Sequence, residues 1–143
     1  MPFRFRLQKI YEVRIKEEET LKNDLSKISE KIENTRKIIH QLSEKKKSVE
    51  HNFLRKRLLT KNDVLEMRSQ IVFYEKKIED LRRELDELMR DREEIRKKLL
   101  EKMKERKILE KLKERKYREY LTEENLKERK RMDEIAERKF WWS

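Results

Sequence analysis

The chain has 143 residues, with 42 Lys or Arg against 31 Asp or Glu, a formal charge of +11. Charged residues make up 51% and apolar residues 34%, with no Gly, no Cys and one Pro, at position 2. This excludes glycine-dependent phosphate loops and dinucleotide fingerprints, thiol chemistry and disulfides, and a thick globular or β-rich core, which leaves the long-helix or coiled-coil class or disorder.

In chain order, the first ten residues lack the apolar stretch of a secretory signal, and no later run approaches 18 apolar residues. A cytoplasmic protein is expected. A first helix is predicted over about residues 4–58. Its apolar series is Leu21, Leu25, Ile28, Ile32, Thr35, Ile39, Leu42, Lys46, Val49 and Phe53, stepping by four and three with eight of ten positions apolar. A turn is predicted at about residues 59–63, where Thr60 and Asp63 have capping-box spacing and Leu59 and Val64 flank them as a hydrophobic staple.

A second helix is predicted over about residues 61–140. Its series is Val64, Met67, Ile71, Tyr74, Ile78, Leu81, Leu85, Leu88, Arg92, Ile95 and Leu99, ten of eleven apolar. A mean spacing of about 3.5 residues keeps one stripe against a partner helix, which disorder has no reason to do. After Leu99 the apolar pattern loosens, as a stutter or weaker pairing would make it. The expected fold is all-α, a long two-helix antiparallel coiled-coil hairpin with a C-terminal helical overhang, in a single domain; one continuous helix is the alternative.

In such a hairpin residue i faces about residue 122 − i, so residues 119–143 have no facing arm. Thr122 could recap a separate terminal helix there, or the helix could run on unbroken. The overhang carries Leu121, Leu126, Met132, Ile135 and Phe140 at helical spacing and ends in Trp141 and Trp142. Two readings are open, a frayed tail with incidental aromatics or an amphipathic helix that completes its core on a partner. Residues 96–118 hold twelve Lys or Arg against four Glu. Most of these cations lack a local acid, which points to an acidic or polyanionic partner, with a plain solvated helix face as the alternative.

Catalytic constellations are missing. His40 and His51 are about 16 Å apart along a helix and cannot share a metal, and a two-helix hairpin has no pocket in which to desolvate a carboxylate pair. A non-enzymatic protein is expected, with no cofactor, no metal and no small-molecule substrate.

Both ends carry a more specific signal. Residues 3–19, FRFRLQKIYEVRIKEEE, resemble the N-terminus of the FliJ family of soluble coiled-coil proteins of the flagellar type III export apparatus, through Phe5, Leu7, Ile10, Arg14 and Glu17 to Glu19. Residues 128–136, ERKRMDEIA, are similar to the family's terminal motif, with Arg129 in place of its Gln. Tyr11 stands where Leu is common, and Gln70 where the second helix usually offers an aromatic. The resemblance implies a protein that binds and stimulates the export ATPase ring, couples it to the membrane export gate and assists export-chaperone cycling. It would be cytoplasmic and peripherally associated with the membrane apparatus.

Local charge together with the resemblance assigns ATPase contact to Arg14, Lys104, Lys111, Arg115 and Arg118. The family-like residues 133–136 favour the amphipathic reading of the overhang, whose contact is assigned to Met132, Asp133, Glu134, Ile135, Phe140, Trp141 and Trp142. The resemblance places export-gate contact early in the second helix, where Val72 and Phe73 fall outside the apolar series, either as exposed contacts or as residues that flank and thicken the seam. Two alternatives are a basic coiled coil that binds nucleic acid through phosphates, although no base-reading motif is present, and a structural coiled-coil spacer.

Overall fold

The computed structural model describes residues 2–56 and 58–142, apart from the side chain of Trp142. Two helices, α1 (Gln8–Leu54) and α2 (Lys61–Trp142), pack against each other as a helical hairpin, with no strand among the described residues. Helix formation follows from the composition: no glycine and no internal proline interrupts sequences rich in Glu, Lys, Arg and Leu.

The helix limits differ from the expected ones in three places. Helix α1 begins at Gln8 rather than near residue 4, because Phe3, Phe5 and Leu7 are half-buried while Arg4 and Arg6 are exposed. That alternation is the period of an extended segment, not of a helix. Helix α1 ends at Leu54 rather than near 58, as Arg55 N–H donates to the His51 carbonyl and Lys56 N–H to that of Phe53. The connection is therefore residues 55–60, earlier than the expected 59–63; Arg57 lies outside the described residues. Helix α2 continues to Trp142, past the expected limit near 140. Thr122 does not recap it: its hydroxyl donates to the Arg118 carbonyl (3.0 Å) within an unbroken helix.

The start of α2 has the anticipated cap. Thr60 N–H donates to Asp63 Oδ2 (3.1 Å), and Asp63 N–H donates to Thr60 Oγ1 (3.2 Å). Two donors left without helical partners are thus satisfied reciprocally. These bonds hold the Asp63 carboxyl below the usual carboxylate range.

Packing groups the chain into two compact units, a central one (residues 20–99) and a terminal one (Met1–Glu19 with Leu100–Ser143). In the central unit the seam is the predicted one. All ten positions of the first apolar series are buried or half-buried, and in the second series only Val64 is exposed. The position facing Val64 lies beyond the end of α1, which leaves Val64 the most exposed member of its series. Ile28, Ile32, Phe53, Ile78 and Leu99 are the buried core. The polar seam members are accommodated: Thr35 Oγ1 donates to the Lys31 carbonyl (2.8 Å), and Lys46 Nζ meets Glu75 at 2.9 Å. The register also fits, since Lys46 was expected to face residue 76.

In the terminal unit the same steps of three and four continue without a stutter. Backwards from Leu21 they reach Glu18, Arg14, Tyr11 and Leu7; forwards from Leu99 they reach Lys102, Arg106, Leu109 and Lys113. All eight are buried or half-buried. The apparent loosening after Leu99 is a change of seam chemistry from apolar to charged, not a loss of register.

Candidate interaction surfaces

The charged seam consumes several of the groups expected to serve a partner. Arg106, set by α2 opposite the start of α1, donates through Nε to Glu18 Oε2 and through Nη1 to Glu110 Oε1 (2.7 Å). Glu18 is only 4% exposed. Tyr11 Oη donates to the same Glu110 oxygen (3.0 Å). One turn along, Arg14 bonds Glu17 (3.1 Å) and lies 2.8 Å from Glu105, while Lys102 lies 3.0 Å from Glu17.

The electrostatics agree with this geometry. The Arg106 guanidinium and then the Tyr11 hydroxyl hold Glu110 below the usual carboxylate range, and the bond to Glu110 raises Tyr11. Lys102 lowers Glu17 and is itself raised by the same bond. Glu18 and then Glu110 raise Arg106 further. The expectation that most cations of residues 96–118 lack acids is thus corrected for Lys102 and Arg106, each of which pairs with an acid of α1, 85 or more positions away in sequence, and with a nearby acid on α2, Glu105 and Glu110 respectively.

Of the five cations assigned to ATPase contact, Arg14 is drawn into this seam. The other four form one outward row. Lys104, Lys111, Arg115 and Arg118 are all exposed, and their spacing of seven, four and three puts them on a single face of α2. Arg115 approaches Glu119 only to 3.9 Å and Arg118 approaches Glu114 to 3.8 Å, both on well-exposed side chains, which binds them weakly. Ile108, 66% exposed, lies in the same row between Lys104 and Lys111. Sequence reasoning missed it because it sits off the apolar series; the signal was that very displacement.

The N-terminal segment closes over this part of α2. The Phe3 ring meets Tyr117 edge-on (5.3 Å) and Tyr120 at a tilt (5.5 Å), and Lys113 Nζ lies over the Tyr11 ring (5.4 Å). A groove of about 550 Å³ runs between the segment and α2, lined by Phe3, Phe5, Leu112, Lys116 and Tyr120 among others.

In the overhang, Met132, Asp133, Glu134, Ile135, Phe140 and Trp141 are all exposed on α2, and the Phe140 and Trp141 rings stand at 88° with centroids 6.3 Å apart. The side chain of Trp142 lies outside the described residues. Leu121 and Leu126 are exposed as well, so the stripe is largely open to solvent among the described residues. In the central unit Val72 and Phe73 are exposed rather than thickening the seam, with Lys77 Nζ over the Phe73 ring (4.8 Å) and Tyr74 edge-on to it (5.7 Å). Among the described residues no helix is long and apolar enough to cross a membrane.

No curated protein and no solved structure shows a match to the chain. The sequence profile of the family described as "Flagellar FliJ protein" matches residues 3–143, essentially its whole length. With a hairpin fold, a capped second helix and a match that takes in both terminal motifs, the chain belongs to the FliJ family of flagellar export proteins.

Proposed function

We propose that this protein is a non-enzymatic coupling component of flagellar type III export. It binds and stimulates the export ATPase ring through the exposed row Lys104, Lys111, Arg115 and Arg118, with the overhang residues Met132 to Trp142 as a second contact. Arg14 supports that surface from within the seam. Val72 and Phe73 are the export-gate contact, and export chaperones are further partners, which puts the protein in the cytoplasm at the membrane apparatus.

The observation that carries the reading is the exposed cationic row on α2 in a chain of this family. A one-sided row of weakly engaged cations suits an acidic protein face, where complementary charge mainly raises the association rate. The test is the triple reversal Lys104→Glu, Lys111→Glu and Arg118→Glu. It is expected to slow association with the purified ATPase and to weaken stimulation, with a larger effect at low ionic strength. Undiminished stimulation at every salt concentration would show that the row is only a solvated helix face.

A further inference from the structure

The connection between the helices reverses the usual arrangement of a loop. Leu54 is 80% and Leu58 87% exposed, and Leu59, Val64 and Leu65 are exposed beside them. The polar groups meanwhile engage one another and the end of the seam. Lys56 Nζ lies over the ring of buried Phe53 (4.9 Å) and 3.7 Å from Asp63, while Thr60 and Asp63 bond each other. Phe53 closes the seam, so the connection is tied down from beneath and its leucines face outward. Arg55, Lys61 and Arg68 are exposed around them and form no ion pair among the described residues. The one acid among residues 51–65, Asp63, is already engaged by Lys56 and Thr60.

We infer that this turn docks on a negatively charged lipid surface, with Leu54, Leu58 and their apolar neighbours entering the interfacial layer while Arg55, Lys61 and Arg68 meet its phosphate groups. Several features favour a bilayer over a protein pocket. A convex turn offers no cleft, and a lipid interface requires none. The apolar residues are leucines and a valine, which are under-represented among the residues that dominate protein interfaces, and the patch has no exposed aromatic anchor. Apolar side chains ringed by Lys and Arg are the composition of interfacial lipid contacts, where area burial and attraction to anionic headgroups add. The absence of a membrane-crossing helix among the described residues makes the contact interfacial, not spanning. The inference stands on the turn itself and goes beyond the assigned gate contact, which excludes these residues.

A chain of charge +11 is drawn to anionic vesicles by charge alone, so the experiment must separate leucine from charge. The full chain is sedimented with phosphatidylcholine vesicles with and without phosphatidylglycerol, beside two variants. One is the charge-neutral pair Leu54→Ser and Leu58→Ser; the other is the reversal Lys104→Glu, Lys111→Glu and Arg118→Glu in the terminal unit. The expected result is binding that requires phosphatidylglycerol and falls about tenfold or more in the leucine variant. Its helicity should be unchanged, and the loss in the charge reversal should be smaller despite its greater change in net charge. Wild-type binding by the leucine variant overturns the inference, as does equal binding to vesicles lacking phosphatidylglycerol, or no binding to either. Loss of a complex with a membrane protein in the leucine variant, with vesicle binding intact, would also overturn it and assign the turn to that protein.

Discussion

Glu18 and Arg106 occupy positions where the central unit would place leucine or isoleucine. Desolvating two charges cancels much of their attraction, so such a pair adds little net stability, yet removing one member strands the other. Glu18→Leu alone should lower stability by about 1–3 kcal/mol, moderated because Arg106 keeps Glu110 and is partly exposed. The double change Glu18→Leu with Arg106→Leu should recover that loss or exceed wild type, and urea unfolding of the three proteins would measure it. A double variant as weak as the single one would mean that the pair stabilises the unit in its own right. The same network sets a pH dependence. The lowered carboxyls Glu17 and Glu110 stabilise the paired state fully above their ordinary value of 4.5, and their contribution is lost as pH falls through the lower folded value. Tyr11 and Lys102 are raised, so their contribution holds below their ordinary values of 10.0 and 10.5 and fades only at higher pH. Acidification from neutral pH to below the lowered range of these carboxyls should therefore reduce amide protection in residues 8–19 and 100–113, followed by hydrogen exchange normalised for intrinsic rates. Residues 28–42, whose buried seam positions are Ile28, Ile32 and Thr35, should keep theirs. Equal loss across both stretches would show that the seam charges are not what acid disrupts.

At the scale of helices, one chemical change should have opposite consequences at two positions of the same apolar series. Ile78 is 7% exposed in the seam, so Ile78→Asp puts an unpaired carboxylate among apolar groups and should cost about 3 kcal/mol or more. Val64 lies in the exposed first turn of α2, so Val64→Asp should change stability by less than about 0.5 kcal/mol, since acids suit a helix N-terminus. Thermal melts of the two variants decide it, and similar losses would mean that α1 covers Val64 after all. This pair also marks what the sequence could reveal. Spacing alone located the apolar seam from Leu21 to Leu99, and Thr60 with Asp63 located the start of α2, because both are local patterns with a single physical solution. The charged seam was hidden because Glu18 and Arg106 read as ordinary surface residues until the register brings them together. The extended N-terminal segment was legible in the alternation of Phe3, Arg4, Phe5, Arg6 and Leu7, but the heptads beyond it suggested helix throughout. The early end of α1 depends on Lys56 folding back onto Phe53 and Asp63, a three-way contact that no sequence period reports.

For the molecule as a whole, the question is why α2 carries so long a stretch of exposed apolar residues. Leu126, Met132, Ile135, Phe140 and Trp141 are exposed, and a charged chain gains nothing in water by displaying them. The seam residues that hold the terminal unit together end well before them: the ion pairs between helices reach Arg106, the Tyr11 bond reaches Glu110, and the Phe3 ring contacts reach Tyr120. Deleting residues 126–143 should therefore leave thermal unfolding within about 0.5 kcal/mol of the full chain, because no buried contact is lost. If the overhang is an amphipathic helix that finishes its core on the ATPase, the same deletion should weaken binding more than any single reversal in the cationic row, since burying a stripe of this size outweighs one screened surface charge. The two tryptophans, at positions 141 and 142, are the only ones in the chain, so their emission reports on the overhang alone. It should move to shorter wavelength as the ATPase is added. Unmoved emission at saturation, together with unchanged affinity after truncation, would take the overhang out of the interface and leave the cationic row as the sole ATPase contact.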